Sequence, residues 1–292
     1  METSELLHKV RQIEIKTRGL SQHLFAGEYH SVFKGRGMSF SEVRAYQYGD
    51  DIRNIDWNVT ARANEPFVKQ FEEERELTTI ILADISGSSQ FGTQAQNRSE
   101  VLTEIAATLS FSAIQNNDKV GVIFFSDKIE AYMPPKKGRT HILRVIRELL
   151  EIQPAGHGTD LRVAMDFLNN VQKKRCTVFL LSDFLCGTSY EPALRVAARR
   201  HDLIGMRLFD GFEANLPDIG LLRVKDAETG QLHWLDTSSM EQRTAHQNWY
   251  QNHVQNFEQT FLRAGAETIH FNLRDSYAEV LQRFFVKRMK RR

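Results

Sequence analysis

The chain has 292 residues, of which 41% are hydrophobic and 26% charged, so it can bury a sizeable core in one large domain or two small ones. Its 38 Lys and Arg residues balance 37 Asp and Glu residues, which excludes a global field that attracts nucleic acid or anionic lipid. No apolar run approaches the roughly 18 residues that span a bilayer, and the N-terminus lacks the apolar core of a signal peptide. We therefore expect a cytoplasmic protein with no membrane insertion.

The first part of the chain combines a helical pattern with an irregular segment. Residues 1–24 predict an amphipathic helix, and residues 25–62 follow with Gly and aromatic residues but no clear periodicity. The apolar stripe of the predicted helix consists of Leu6, Leu7, Val10, Ile13 and Ile15. A long irregular segment in a compact chain is usually functional or wraps another element. We expect residues 1–77 to form an N-terminal helix and an Arg/Asp-rich segment that pack on the core.

From residue 67 onward, strands alternate with helices. The predicted strands are 67–71, 78–83, 119–125, 176–182, 202–209 and 267–272. The predicted helices are 95–116, 140–152, 160–174, 191–200, about 239–264 and a last one at the C-terminus. Alternation of this kind implies parallel strands joined by right-handed crossovers.

The fold class predicted for residues 78–292 is therefore α/β, with a doubly wound, mostly parallel central sheet flanked by helices. Several of its strands are almost wholly apolar, as strands buried on both faces should be. One segment departs from the alternation: residues 221–236 predict a β-hairpin insertion with its turn at ETGQ.

A metal-binding pattern follows the first central strand. The segment IILADISGSS places Asp84 at the carboxyl end of that strand, and Ser86 and Ser88 come directly after it. Ligands of open parallel sheets bind beyond the carboxyl ends of strands, at the topological switch point. One carboxylate and two hydroxyls are hard oxygen ligands, which suit magnesium better than metals that seek thiolate or imidazole. The alternative is that Asp84 and Ser86 are only turn and helix-cap residues.

Two later segments supply further oxygen ligands at the same edge. Thr159 lies in the Gly-rich loop GHGTDL before a helix, and Asp183 ends the buried strand in LLSDF. Because Asp84 and Asp183 follow parallel strands of one sheet, we expect the three loops to converge. The five residues resemble the metal-ion-dependent adhesion site of the von Willebrand factor A superfamily. In that family the serines bind the metal directly, while the threonine and aspartates bind directly or through water. The resemblance implies bound Mg²⁺, with Mn²⁺ as an alternative, and a last position left for an acidic residue of a protein partner.

Residues 44–62 resemble a narrower family, the von Willebrand A-like group known as domain of unknown function 58. The matching pattern consists of Tyr46, Gly49, Asp50, Asp51, Arg53, Ile55, Asp56, Trp57, Thr60, Ala61 and Arg62. The hairpin insertion is also typical of that group. The resemblance implies a partnership with a MoxR-type AAA+ ATPase, in chaperone-like protein remodelling or cofactor insertion.

The same segment has a physical interpretation of its own. Its charged residues alternate in sign along the chain: Arg44, Asp50, Asp51, Arg53, Asp56 and Arg62. Paired Arg and Asp side chains can form bidentate bonds that fasten an irregular segment to the domain, and we expect Trp57 among them to be buried. Direct contact of these residues with a partner is the alternative.

Two other functions are weaker fits to the sequence. A magnesium-dependent hydrolase of phosphoesters would need a general base, and His157 is the only candidate in the right loop. The chain also has neither a P-loop nor a G-x-S-x-G pattern. The basic run VKRMKRR (286–292) could attract phosphate, but it equally suits the end of a helix. We therefore predict a binding module with no catalytic residue, which binds neither nucleic acid nor membrane.

Overall fold

The computed structural model of the chain describes residues 3–25, 39–63, 65–72, 77–90, 92, 97–156, 158–225 and 230–291. The chain divides into two compact units. The first unit comprises residues 1–32 and 78–292, and the second comprises residues 33–77.

Strands and helices alternate along most of the described chain. The strands are β1 (Ser39–Ala45), β2 (Phe67–Glu72), β3 (Thr78–Asp84), β4 (Lys119–Phe125), β5 (Ile129–Lys136), β6 (Thr177–Ser182), β7 (Asp202–Phe209), β8 (Leu221–Lys225), β9 (Leu232–Asp236) and β10 (Glu267–Asn272). The α-helices are α1 (Thr3–Phe25), α2 (Trp57–Ala63), α3 (Arg98–Gln115), α4 (Arg139–Glu151), α5 (Leu161–Val171), α6 (Glu191–Arg200), α7 (Gly211–Ala214), α8 (Met240–Ala264) and α9 (Tyr277–Lys290). Short 3₁₀ helices lie at Ile52–Asn54 and Gly87–Gln90.

The first unit is built on a six-stranded sheet with the order β10-β7-β6-β3-β4-β5. All neighbouring strands are parallel except β5, which runs antiparallel to β4 at one edge. The central strands β3, β4 and β6 are buried along nearly their whole length, which explains their almost continuous apolar sequence. The predicted fold class is therefore confirmed.

The edge strand β5 is missing from the prediction because its sequence, IEAYMPPK, contains two prolines. Proline cannot donate a hydrogen bond to a neighbouring strand, so it argues against a central strand but is tolerated at a sheet edge. The predicted hairpin is confirmed: β8 pairs antiparallel with β9, from Leu221 opposite Asp236 to Lys225 opposite Leu232. Residues 226–229, at its turn, lie outside the described part of the chain.

Helix α1 packs against α3 and α4 within the first unit. Its Val10 joins an apolar cluster with Phe111 and Ile146, and Lys16 Nζ donates to Glu104 at 2.6 Å. Leu6 is 1% exposed, whereas Leu7 and Ile15 are 60% and 68% exposed, so the last two lie outside the buried stripe, contrary to the prediction. No helix among the described residues combines the length and apolar character needed to cross a bilayer.

The second unit contains an antiparallel pair of strands, β1 and β2, joined by a segment with short helical turns. Asp51 accepts a hydrogen bond from the backbone of Arg53 and caps the 3₁₀ helix. Asp56 accepts from the backbone of Asn58 and Val59 at the start of α2. Local capping by aspartates thus orders a segment in which no periodicity predicts a helix.

Candidate metal centre

The strand order places a topological switch point at the carboxyl end of β3. From β3 the chain passes to β4 on one side, and later returns through β6 to the other side. Asp84, the last residue of β3, pairs in register with Phe125 of β4. On the other side Ala83 pairs with Leu181, which brings Asp84 level with Ser182. The loops that follow these three strands therefore meet around Asp84.

Asp84 is buried and hydrogen-bonded at both carboxylate oxygens. Ser182 Oγ donates to Asp84 Oδ2 at 2.6 Å, and the backbone N–H of Ser86 donates to Oδ1 at 3.0 Å. The hydroxyl oxygens of Ser86 and Ser88 lie 3.2 Å apart. The structure therefore brings together the carboxylate and the two hydroxyls of the predicted D-x-S-x-S pattern.

Asp183 lies beside this group but is engaged in an ion pair. Its Oδ2 accepts from Arg98 Nη1 at 2.7 Å, and its Oδ1 accepts from the backbone of Leu185 at 2.9 Å. Arg98 Nη1 also donates to the carbonyl oxygen of Ser88 at 2.8 Å, and Arg98 Nη2 donates to Glu213. Two carboxylates and a carbonyl thus surround one buried guanidinium.

Three residues of this edge are not predicted from the sequence: Arg98, Ser182 and Glu213. Ser182 directly precedes Asp183, and the register of two parallel strands would have placed it next to Asp84. The signal for Arg98 was weaker, because it lies at the first turn of α3, a place that favours acidic side chains. Nothing local to Glu213 pointed to this edge, because it reaches Arg98 from α7 across 115 residues of sequence.

Thr159 lies on the β4 side of β3, whereas Asp183 lies on the β6 side. Thr159 is buried in the loop before α5. The backbone N–H of its neighbour Asp160 donates to the carbonyl of Ser126 at 2.9 Å, directly after β4. This bond holds the loop at the carboxyl end of β4. His157, the candidate general base, lies outside the described residues.

The pKa values of the charged groups at this edge are shifted by burial and by the charges of their neighbours. Burial, followed by the negative charge of Asp183, raises the pKa of Asp84 to about 6. Burial alone lowers the pKa of the Arg98 guanidinium, but the charges of Asp183 and Glu213 outweigh it and raise that pKa. A further cation near Asp84 would therefore stabilise its charged form.

The donor set fits a hard divalent cation. Neighbouring ligand oxygens of octahedral Mg²⁺ lie about 2.9 Å apart, given ligand distances of about 2.0–2.1 Å, close to the spacing of the two serine hydroxyls. Among the described residues no three His, Cys, Asp or Glu side chains form a metal-binding group, so a metal here would depend on hydroxyl oxygens. Asp84, Ser86 and Ser88 are the residues that would hold it, with Thr159 and Asp183 at the same edge.

The Arg/Asp-rich segment forms contacts within the second unit. Arg44 and Asp50 make a bidentate pair, with Nη1 to Oδ2 and Nη2 to Oδ1 both at 2.8 Å. This hydrogen bonding, mainly with Arg44, lowers the pKa of Asp50. Arg53 lies in the 3₁₀ helix and Arg62 in the last turn of α2, and both are exposed.

The expected burial of Trp57 is wrong. Its side chain is 70% exposed at the first position of α2. This helix has only seven residues, and none of them is buried. A helix without a buried face offers its first aromatic residue no core to enter.

Comparison with known proteins gives relatives in sequence and in fold. The chain is 31% identical over 228 residues to "Uncharacterized protein Mb1516" of Mycobacterium bovis, covering 77% of this chain and 72% of that protein. Among solved structures, the conserved hypothetical protein BatB of Bacteroides thetaiotaomicron has a TM-score of 0.49 at 15% identity, covering 74% of this chain and all of that one. The SpRpn10 VWA domain has a TM-score of 0.41 at 11% identity, covering 71% of this chain and 94% of that one.

Likeness at such low identity concerns the fold alone. The family evidence comes from the sequence, where the family described as "Protein of unknown function DUF58" matches residues 42–256. This match takes in most of the chain, including residues 44–62 and all the residues around Asp84. The chain therefore belongs to the DUF58 family.

Proposed function

We propose that this protein is a metal-dependent protein-binding module, in which one Mg²⁺ or Mn²⁺ at Asp84, Ser86 and Ser88 takes an acidic residue of a partner protein. The observation that carries the proposal is the cluster of oxygen donors at the switch point, where Asp84 has a raised pKa. A raised pKa means that the surroundings disfavour the ionised carboxylate, and a bound cation would stabilise that ionised form. A bound divalent cation supplies an electrophile that can take one further oxygen ligand.

The partner that we propose is a MoxR-type AAA+ ATPase, in chaperone-like protein remodelling or cofactor insertion in the cytoplasm. Support for this comes from membership of the DUF58 family and from the resemblance on which the sequence prediction rested. Binding would depend on the metal and on one acidic residue of the ATPase. The hydrogen bonds around the site would then set the specificity.

The test is a pull-down of the purified MoxR-type AAA+ ATPase of the same organism, with Mg²⁺ or with excess chelator. We expect capture by the wild type only with Mg²⁺, and little capture by Asp84→Ala under either condition. Asp166→Asn is a matched control, because it also removes one carboxylate, at an exposed position of α5, outside the loops that carry the candidate ligands. Full capture in the presence of chelator would contradict ligation through a metal.

The proposal also separates binding from catalysis. We expect no Mg²⁺-dependent release of phosphate from p-nitrophenyl phosphate above the rate in buffer. A metal-dependent rate that His157→Ala abolishes would instead favour a hydrolase.

A further inference from the structure

Arg98 is a buried cation in a position that is unfavourable by itself. It begins α3, where the positive end of the helix dipole favours acidic side chains. Only 2% of its surface is exposed, and its Nε has no hydrogen-bond partner among the described residues. A buried guanidinium of this kind persists only because charged partners offset the cost of removing it from water.

Those partners lie on two sides of the guanidinium. On one side Nη1 donates to Asp183 Oδ2 at 2.7 Å and to the carbonyl oxygen of Ser88 at 2.8 Å. On the other side Nη2 donates to Glu213, whose second oxygen accepts the backbone N–H of Asp210 at 3.0 Å. Arg98 therefore joins the metal-binding loop to the capping box of α7.

Both oxygens of Asp183 accept hydrogen bonds, and one of the two donors is a charged group. Oδ2 is held by Arg98 and Oδ1 by the backbone of Leu185 at 2.9 Å. Each carboxylate oxygen can accept a second partner, but ligation by Asp183 would place the cation beside the Arg98 guanidinium, and repulsion between the two positive charges disfavours it. Among the described residues Asp84 forms no ion pair: its hydrogen-bond partners are the neutral side chains of Ser182 and Ser86 and the backbone N–H of Ser86.

We propose that Arg98 determines the ligand specificity of the site by withholding Asp183 from direct ligation. This inference rests on the proposed function. With Arg98 in place, Asp84 is the one negatively charged ligand that the D-x-S-x-S loop and the carboxyl end of β6 supply. One negative charge does not neutralise a divalent cation, so the bound cation keeps excess positive charge. That excess attracts a carboxylate of the partner. Without Arg98, Asp183 becomes a second anionic ligand, which tightens the metal and weakens its attraction for a carboxylate.

The inference predicts two affinities that move in opposite directions in Arg98→Met. Using the full chain, Mn²⁺ binding is measured by electron paramagnetic resonance, and acetate binding by the relaxation that bound Mn²⁺ causes in the acetate methyl protons. We expect the Kd for Mn²⁺ to fall about tenfold and the Kd for acetate to rise about tenfold. A merely structural role of Arg98 would weaken both.

Glu213→Gln is the matched control. It leaves the pair between Arg98 and Asp183 intact and removes one negative charge from the other side of the guanidinium. Its Gln oxygen can still accept the backbone N–H of Asp210. We expect Mn²⁺ binding no tighter than in the wild type, and acetate binding no weaker.

A double variant guards against misfolding of Arg98→Met, which leaves Glu213 without its buried counterion. Arg98→Met combined with Glu213→Gln removes both members of that pair and should show the same opposed shifts. Absence of Mn²⁺ binding by the wild type would overturn the proposed function and this inference with it. Mn²⁺ binding by the wild type, with both affinities shifted the same way in the double variant, would overturn this inference alone.

Discussion

Replacing Asp84 by Asn should stabilise the metal-free protein at neutral pH. Burial and the nearby charge of Asp183 raise the pKa of Asp84 from 3.8 to about 6. A shift of about two units corresponds to about 3 kcal/mol, at ~1.4 kcal/mol per unit. Because the folded state holds the proton more tightly, this contribution is present in full below pH 4 and is lost as the pH rises through 6. Asn carries no charge and avoids this loss at pH 7.

The expected gain in the free energy of unfolding is therefore up to about 3 kcal/mol at pH 7 in chelator. At an unfolding entropy of about 2 cal/mol/K per residue, this raises Tm by about 5 °C. The neighbours of Asp84 can adapt, because the Asn oxygen still accepts from Ser86 and its amide can donate to the hydroxyl of Ser182. Below pH 4 the wild type and Asp84→Asn should be equally stable.

Urea unfolding at pH 7 and at pH 4, with chelator or with Mg²⁺, measures both effects. Mg²⁺ at a hundredfold excess over its Kd should stabilise the wild type by about 3 kcal/mol and leave Asp84→Asn unchanged. The control Asp166→Asn should behave as the wild type under every condition. The reasoning is refuted if Asp84→Asn is less stable than the wild type in chelator, or if Mg²⁺ stabilises both proteins equally.

Two further predictions concern the packing that supports the site. Leu6→Ala should lower the free energy of unfolding by about 2–4 kcal/mol, whereas the adjacent Leu7→Ala should change it by less than about 0.5 kcal/mol, because only Leu6 is buried. Equal losses in urea unfolding would show that α1 does not pack as described. Gly205→Ala should cost about 1–3 kcal/mol, because a Cβ there would lie 2.4 Å from Cε1 of Phe261. Gly187→Ala, with open space around its Cβ position, is the control, and an unchanged Tm for both variants would contradict the tight contact.

The central sheet could be predicted because its strands are buried on both faces. A strand such as β6, whose residues are all buried, is apolar between its end residues Thr177 and Ser182, and that pattern is visible in one sequence. The edge strand β5 could not be predicted in this way, because its residues are only partly buried and its prolines resemble a loop. The exposure of Trp57 was equally unpredictable, because burial depends on what a short helix packs against.

The candidate site, like the fold, could be predicted from the sequence only in part. Asp84, Ser86 and Ser88 lie close in sequence, so their grouping follows from one strand end and one turn. Arg98 and Asp183 are 85 residues apart in the sequence, and no local sequence pattern predicts a contact between them. The one clue in the sequence is a basic residue at the first turn of a helix, where acidic side chains are favoured.

A titration of the full chain with Mn²⁺, followed by electron paramagnetic resonance, tests the central claim most directly. We predict that the wild type binds one Mn²⁺ per chain, that Mg²⁺ displaces it, and that Asp166→Asn binds equally well. Asp84→Asn should bind none at the same concentrations. A wild type that binds no Mn²⁺, or an Asp84→Asn variant that binds it as tightly as the wild type, would contradict a metal centre at the end of β3.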